Sequence, residues 1–265
     1  MASLPHKRVE GAALVTGAGS GIGHAVSIAL ALAGISTLHL VDIRSSGLDN
    51  TKNSILSLPL PTYPEIILHE SDVSCVLSTT QLFSQIPRLD YAVNCAGVLG
   101  PSKPALEISI AEFDNVNDIN FRAFWMCQKE ELKLMLKNDI RPFRGYSCLN
   151  EEDAQVRGQR GAIVNVASQL GIVGKARTSI YSATKAAVLA ITRGDALDYS
   201  RSPHHVRINA VCPGFIATAM TAENGEVKED IKEAVRLAPM ERIGLPSEVA
   251  DTVVFLCSGD VDLGR

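Results

Sequence analysis

Short, nearly continuous apolar runs alternate with longer amphipathic stretches along most of this chain. Strands buried on both faces of a sheet have this continuous apolar character, whereas helices show a period of about 3.6 residues. The runs that predict strands are 12–16, 37–42, 65–70, 89–94, 162–167 and 206–211, and the stretches that predict helices are 22–33, 46–57, 75–85, 110–137, 179–199 and 247–257. This alternation predicts an α/β fold over residues 1–265: a single Rossmann-like domain whose doubly wound parallel sheet carries helices on both faces.

Two segments depart from this alternation. Residues 138–160 are polar, charged and long for a connection, and they precede a predicted strand. We therefore expect a mobile surface insertion at the amino edge of the sheet, away from the carboxyl edge where ligands bind. Residues 219–244 are charged and helical in pattern and contain Gly225 and Pro239, which favours a lid over a substrate.

Composition narrows the class of protein. Hydrophobic residues make up 46% and charged residues 20% of the 265 residues, which is typical of a globular protein with a full core. The net charge of −4 and the isoelectric point of about 5.9 argue against nucleic acid and membrane surfaces as partners. A small-molecule ligand is the remaining expectation.

Cysteine and histidine positions argue against a metal site. The six cysteines include no C-x-x-C pair, and the histidines show no H-E-x-x-H spacing. Scattered cysteines also suit a reducing compartment. Residues 1–11 lack the apolar core of a signal peptide and 25–35 is too short to span a bilayer, so a cytoplasmic protein is expected.

A glycine-rich turn with the sequence T-G-A-G-S-G-I-G lies at 16–23, between the first predicted strand and helix. Gly17 permits a tight turn, Gly21 lets the backbone approach a pyrophosphate, and Gly23 allows close contact between helix and strand. The N–H groups at the start of the helix can bind phosphate oxygens. Such a turn is often only structural, but its position between a strand and a helix favours a dinucleotide site.

Acidic residues at two later strand ends bear on the cofactor. Asp42 ends the second predicted strand, where a carboxylate accepts hydrogen bonds from a ribose diol and repels a 2′-phosphate. This favours NAD over NADP, although Arg44 could reach a phosphate. Asp72 and Val73 follow the third strand and could bind adenine, or Asp72 could serve as a helix N-cap.

A tyrosine and a lysine lie four residues apart in a predicted helix, as Tyr181 and Lys185. This spacing places both side chains on the same helix face. A nearby ammonium group favours phenolate and so lowers the pKa of a phenol. Ser168 lies thirteen residues upstream of Tyr181, at the end of an apolar run, where it could orient a reacting oxygen or only stabilise a turn.

These motifs resemble those of the short-chain dehydrogenase/reductase family, over about residues 9–260. The sequence N-C-A-G at 94–97 resembles the family's N-N-A-G element, with Cys in the second position. Asn120 lies at the position of the family's helical catalytic Asn, and P-G-F-I-A-T at 213–218 resembles the P-G-x-x-x-T segment beside the nicotinamide. Several motifs in the same order make chance agreement an inadequate explanation.

The resemblance implies an oxidoreductase that moves a hydride between NAD(P) and an alcohol or ketone. Tyr181 would exchange the proton with the substrate oxygen, and Ser168 would orient that oxygen and stabilise its charge. Lys185 would bind the nicotinamide ribose and lower the pKa of Tyr181. Asn120 would hold a water that relays protons from Lys185 to solvent. The residues expected to hold the cofactor are Gly17, Ser20, Gly21, Ile22, Gly23, Asp42, Asp72, Val73, Asn94, Tyr181, Lys185, Ile216 and Thr218.

The resemblance leaves the substrate open within a class. Residues 98–99, 169–170 and Phe215 should face the pocket, which predicts a small or medium apolar secondary alcohol or ketone. Two alternatives are a cofactor-binding homologue with little activity and an epimerase or dehydratase on the same scaffold. The family also implies a homo-oligomer through the helices at 110–137 and 179–199. Family members continue into a last strand beside the sixth, so a sheet of six strands without the usual seventh is expected here.

Overall fold

The protein is built around one parallel sheet. The computed structural model describes residues 9–142, 150–223, 226–227, 229–236 and 238–258. Its sheet strands are β1 Ala12–Thr16, β2 Thr37–Asp42, β3 Glu65–Glu70, β4 Tyr91–Asn94, β5 Gly161–Val166 and β6 Val206–Val211. They lie in the order β3-β2-β1-β4-β5-β6, and every pair is parallel. The predicted fold class is thereby confirmed, because continuous apolar runs became strands covered on both faces.

Helices cover both faces of this sheet. Their bounds are α1 Gly21–Leu32, α2 Ser45–Leu56, α3 Val76–Ser84, α4 Ile110–Asn117, α5 Ala123–Met135, α6 Glu151–Val156, α7 Ser179–Tyr199, α8 Glu229–Arg236 and α9 Pro246–Cys257. Two apolar clusters result: one joins α1, α2 and α9 to the sheet, and the other joins α3 and α5 to its opposite face. Neighbouring strand residues such as Leu14 and Val15 belong to opposite clusters, as the two-residue period of a strand requires.

The predicted helix at 110–137 is interrupted. A capping box between Ser109 and Glu112 starts α4, but residues Asp118–Arg122 form a π-helical turn before α5 begins. A π turn adds one residue without removing the apolar face, so the pattern of the sequence alone reads as one continuous helix. Such turns are frequent at functional sites, and Asn120 lies in this one.

The segment 138–160 is only partly within the described residues, since 143–149 lie outside them. Its described part contains the short helix α6, which the polar sequence did not predict. Asn138 donates to the backbone oxygens of Leu89 and Arg160, and Arg141 pairs with Asp90. Leu89, Asp90 and Arg160 directly precede β4 and β5, so these residues lie at the amino edge of the sheet.

The last predicted segments have mixed outcomes. Residues 219–244 contain a hairpin whose two strands, β7 Ala222–Glu223 and β8 Glu226–Val227, have two residues each, and α8 follows it. The expectation about a seventh strand concerns residues 259–265, which lie outside the described part of the chain. Within the described ranges, no helix is both long and apolar enough to cross a bilayer.

Candidate active site

The predicted motifs meet at one edge of the sheet. The strand order reverses next to β1, because β2 lies on one side of it and β4 on the other. The glycine turn follows β1, Asp42 ends β2, the 94–97 motif begins at the end of β4, and Ser168 follows β5. Ligands of doubly wound sheets bind at the carboxyl edge beside such a reversal.

The glycine turn has the shape that a phosphate site requires. Gly21 has a φ of +54°, in the left-handed region that favours glycine. A Cβ added at Gly23 would lie 2.2 Å from the backbone oxygen of Gly17, so only glycine permits this contact between helix and turn. Ser20, the N-cap of α1, makes no side-chain capping bond. The start of α1 therefore keeps its N–H groups and positive dipole end for an anion, and the residues fit a dinucleotide pyrophosphate.

Asp42 is buried at the end of β2 and supports the glycine turn. Its Oδ2 accepts from the Gly19 N–H at 3.0 Å, and its Oδ1 accepts from the Arg44 N–H at 3.0 Å. The guanidinium of Arg44 lies 3.7 Å from Asp42 Oδ1 and donates to Ser20 Oγ at 3.1 Å. The Asp42 carboxylate therefore faces the glycine turn, and the exposed guanidinium of Arg44 lies beside both the carboxylate and the turn. Gly19 was not among the predicted cofactor residues, because its role depends on this contact.

Asp72 does not cap a helix. Its Oδ1 accepts from the N–H and hydroxyl of Ser74, at 2.8 and 2.7 Å, whereas the N-cap of α3 is Cys75. The N-cap alternative is therefore wrong, because the carboxylate closes a local turn one step before the helix. Val73 is buried beneath this turn, and its backbone oxygen accepts from Thr79.

The segment 94–98 connects the glycine turn to the proposed catalytic residues. Thr16 Oγ1 accepts from the N–H groups of Cys95 and Ala96, at 3.1 and 3.2 Å. At the other end, Asn120 accepts from the Val98 N–H and donates to the Val98 oxygen, both at 2.8 Å. The Asn120 side chain thus holds this segment at Val98 through two hydrogen bonds. The two hydrogen bonds of Thr16 were not predicted from the sequence. The signal in the sequence is a hydroxyl at the end of a strand.

Ser168, Tyr181 and Lys185 are brought together at this edge, and all are buried. The ammonium of Lys185 donates to the Val166 oxygen at 2.8 Å and lies 5.9 Å from the centre of the Tyr181 ring. Ser168 accepts from the Leu170 N–H at 3.1 Å, so it also stabilises the turn after β5. Its hydroxyl also hydrogen-bonds to the Tyr181 phenol, and the orientation of a reacting oxygen by Ser168 stays a prediction.

The expected lowering of the Tyr181 pKa does not occur. Burial raises the pKa of Tyr181 above its ordinary value, and the hydrogen bond with Ser168 offsets only part of this rise. Burial also lowers the pKa of Lys185 to about 8, because a desolvated ammonium is unfavourable. The charge of the lysine is evident from the sequence, whereas the burial of the pair is not. The phenol therefore keeps its proton at neutral pH.

The segment after β6 closes over the glycine turn. A Cβ added at Gly21 would lie 3.1 Å from the methyl group of Thr218. Ile216 is buried and forms a parallel bridge with Gly244. The Ala217 N–H donates to the Gly244 oxygen, and the Gly244 N–H donates to the Phe215 oxygen, each at 2.8 Å. Both ends of residues 219–244 are thus fixed beside the site.

Comparison with known proteins gives consistent results. The family model described as short chain dehydrogenase matches residues 11–229. Levodione reductase of Leifsonia aquatica is 34% identical over 263 residues, covering 93% of this chain and 87% of the relative. Cyclohexanol dehydrogenase of Acinetobacter sp. (strain SE19) is 33% identical over 248 residues, covering 94% and 88%. A crystal structure of levodione reductase has a TM-score of 0.76 at 31% identity, covering 94% of this chain and 91% of that one.

The site geometry and these matches point to the same family. Its members are oxidoreductases that act on CH–OH groups and depend on a nicotinamide cofactor. The arrangement of a glycine turn, a strand-end serine and a Tyr-x-x-x-Lys pair at one sheet edge agrees with that chemistry. The chain belongs to the short-chain dehydrogenase/reductase family.

Proposed function

We propose that this protein reduces a small or medium apolar ketone, or oxidises the matching secondary alcohol, with NAD as its cofactor. The observation that carries the proposal is the buried group of Ser168, Tyr181 and Lys185 at the carboxyl edge of the sheet, next to a turn that fits a pyrophosphate. A nicotinamide, when bound, supplies or accepts the hydride.

The residues of the chain supply the proton and the orientation. Tyr181 keeps its phenolic proton at neutral pH and donates it to the substrate oxygen, which suits the direction of reduction. Ser168 hydrogen-bonds the same oxygen and stabilises its developing charge. Lys185, held by the Val166 oxygen, binds the ribose beside the nicotinamide and adds positive charge below the phenol. Asn120 keeps the 94–98 segment in place between them.

The preference for NAD rests on Asp42. A buried carboxylate at the end of β2 accepts from a ribose diol and repels a 2′-phosphate. Its bonds to the Gly19 and Arg44 N–H groups hold it in this position. Arg44 is the opposing feature, since its exposed guanidinium lies beside the carboxylate. The glycine-turn residues, Asp72, Val73, Asn94, Ile216 and Thr218 complete the proposed cofactor site.

Apolar side chains near the proposed catalytic residues support the proposed substrate class. Phe215 lies next to the buried Ile216, and Lys175 lies 5.7 Å from the centre of the Phe215 ring. Exposed apolar side chains of Ile172 and Val173 follow the serine turn. We propose that these side chains line a mainly apolar entrance and that residues 219–244 form the lid above it. Cyclic alcohols and ketones are a reasonable first choice, because two relatives bear names of cyclohexanol and levodione enzymes.

A substrate screen tests the proposal. The protein is incubated with NAD or NADP and a panel of cyclic and linear secondary alcohols, and with the reduced cofactors and the matching ketones. Nicotinamide absorbance reports turnover, and Tyr181→Phe serves as the blank. Turnover of apolar members with NAD supports the proposal. Cofactor binding without turnover would favour a binding protein, and product without net change of absorbance would favour an epimerase or dehydratase.

We further propose a cytoplasmic homo-oligomer. The exposed apolar side chains of Phe113, Trp125 and Leu197 lie on α4, α5 and α7, the elements expected to pair with a second copy. Burial of such side chains on one face is typical of an obligate interface.

A further inference from the structure

A chain of polar side chains, buried except for the partly buried Asp195, runs beneath the active site. Asn94 Nδ2 donates to Asn165 Oδ1 at 3.1 Å, Asn165 Nδ2 donates to Gln128 Oε1 at 2.7 Å, and Gln128 Nε2 donates to Asp195 Oδ2 at 2.5 Å. Every bond donates in the same direction, from Asn94 towards the Asp195 carboxylate. Hydrogen bonds aligned in this way polarise and strengthen one another. We name these four residues the amide chain.

The head of the amide chain is incomplete. Asn94 Nδ2 also donates to Glu131 Oε2 at 3.0 Å, so both amide hydrogens of Asn94 are used. Asn94 Oδ1 and Glu131 Oε1 are buried, and within the described part of the chain neither has a hydrogen-bond partner. Two buried acceptors without a donor are unfavourable, because each has lost its hydrogen bonds to water without a replacement.

One proton added to Glu131 Oε1 would give both this oxygen and Asn94 Oδ1 a hydrogen-bond partner. A carboxylic acid and a primary amide can form two mutual hydrogen bonds, and the first of these is already present between Glu131 and Asn94. We propose that Glu131 is a neutral carboxylic acid at neutral pH, that its Oε1–H donates to Asn94 Oδ1, and that it thereby positions the cofactor-binding edge. Glu131 is fully buried in α5, and no cation pairs with it among the described residues. Burial raises the pKa of Glu131 to about 8, although the bond from Asn94 opposes this rise.

The amide chain connects this proton to the active site. Asn94 is the first residue of the 94–98 segment that lies between the glycine turn and Asn120. Asn165, its partner in the β4–β5 register, precedes Val166, whose oxygen accepts from Lys185. Glu131 touches neither substrate nor cofactor, so it is a positioning residue. Its ionisation would place a charge in this interior and remove the bond that fixes the Asn94 amide.

The pH dependence expected of Glu131 has to be distinguished from that of other ionisable groups nearby. On its own helix, burial and the neighbouring carboxyls raise the pKa of Cys127 well above its ordinary value. Burial likewise raises the pKa of Cys95 to about 12. Lys185 titrates in the same range as Glu131, with its pKa lowered to about 8 by burial. The remaining charged groups on α5 and on the elements packed against it are Lys129, Glu130 and Lys133 on α5 itself, Asp118 and Arg122 in the π turn, Asp195 at the end of the amide chain, and Arg193 and Asp198 on α7.

Glu131→Gln is a matched test, because a glutamine amide mimics the neutral acid and does not titrate. Folding keeps the Glu131 proton from its ordinary pKa of 4.5 up to about 8, so the unfolded chain binds fewer protons in that window and stability falls as pH rises. We expect the unfolding equilibrium constant of the wild type to increase by up to about tenfold per pH unit relative to the variant between about pH 5 and 8. Urea unfolding at several pH values measures this. The two proteins should be similar near pH 5, and parallel curves at all pH values would overturn the proposal.

A measurement on the wild type alone covers the case in which the variant does not fold. At pH 6.5 ordinary carboxyl groups are ionised. Infrared difference spectroscopy should therefore show a protonated carboxylic acid at pH 6.5 that is lost by pH 9.5. Absence of this band in the wild type would contradict a neutral Glu131.

Cofactor affinity provides the readout that a merely structural role would not change. The dissociation constant of NAD, measured by calorimetry, should rise between pH 7 and 9.5 more in the wild type than in Glu131→Gln. The titration of Lys185 contributes equally to both and cancels in the comparison. This binding measurement alone rests on the proposed function. Failure to bind NAD at any pH would refute that function. Equal pH dependence of NAD binding in the two proteins would refute the positioning role of Glu131.

Discussion

At the scale of single residues, burial controls the ionisation of the proposed catalytic pair. It raises the pKa of Tyr181 and lowers the pKa of Lys185 to about 8, because both charged forms lose hydration. A phenol that holds its proton is a proton donor, and the hydroxyl of Ser168 lies beside it.

Tyr181→Phe removes this proton donor but keeps the ring. A general acid contributes about 10²–10⁴-fold to a rate, so kcat for the reduction found in the screen should fall by at least 10². Binding of NAD, measured by calorimetry, should change little. Tyr199→Phe is the matched control, because Tyr199 lies on the same helix at the end of α7 and contacts His204. Activity of Tyr181→Phe within tenfold of the wild type would contradict the proposed role.

Asp42→Ala tests the choice of cofactor. A carboxylate beside a phosphate costs several kcal/mol, so the ratio of kcat/KM for NADP to that for NAD should rise at least about tenfold. KM for both cofactors should also increase, because the variant loses the support of the Gly19 N–H. Arg44→Gln is the companion variant and should leave the preference for NAD unchanged. A wild type that prefers NADP and loses this preference in Arg44→Gln would show that Arg44 governs the site.

The sequence predicts the positions of these residues better than it predicts their pKa values. The spacing of Tyr181 and Lys185 and the strand-end positions of Asp42 and Ser168 are local, so the sequence predicts where they lie. The depth of the pair and the bonds of Glu131 depend on how distant elements pack. The raised pKa values of Tyr181 and Glu131 were therefore beyond sequence reasoning.

At the scale of elements, two strands share a buried histidine pair. His39 of β2 and His69 of β3 lie on the same face, with Nδ1 of one 3.0 Å from Nε2 of the other. Their rings are stacked with centres 5.2 Å apart. Burial, with a smaller effect of His69, lowers the pKa of His39 to about 4, and burial lowers the pKa of His69 as well. The edge of the sheet at β3 therefore depends on two neutral imidazoles.

This pair should make the protein sensitive to acid. Between pH 6.5 and about 4 the unfolded chain binds a proton that the folded His39 does not, so stability is present above pH 6.5 and lost as pH falls. The loss is at most about 1.4 kcal/mol per pH unit. His39→Gln keeps a hydrogen-bonding side chain but does not titrate, and its urea midpoint should depend less on pH over this range. The same slope for both proteins would show that His39 titrates normally.

Elements differ in how well the sequence predicts them. Four strands, including β1 and β6, have the predicted bounds because continuous apolar runs between polar residues leave little choice of register. The π turn at Asp118–Arg122 was missed because its neighbours α4 and α5 keep the same apolar face on both sides. The short α6 was missed because its sequence has no apolar period.

At the scale of the whole molecule, exposed apolar side chains bear on the proposed assembly with a second copy. The relative exposure of Trp125 on α5 is 45% and that of Leu197 on α7 is 65%, and both lie where a second copy is proposed to bind. Trp125→Glu places a charge in that interface and should lower the mass seen by sedimentation velocity. Leu56→Glu is the control, since Leu56 ends α2 and has a similar exposure of 47%. An unchanged mass for Trp125→Glu would place the interface elsewhere.

The bridge between Ile216 and Gly244 has a consequence for the variability of this scaffold. Residues 219–243 leave and return at neighbouring points held by two backbone hydrogen bonds, and the Thr221 side chain adds hydrogen bonds to the Ile216 and Thr218 oxygens at the first of these points. Doubling the length of a closed loop costs only about 0.6 kcal/mol, which is small beside the stability of a domain of this size. Beyond Thr221 the segment can therefore be lengthened or exchanged, by evolution or by an engineer, while its anchor points at the sheet edge are kept.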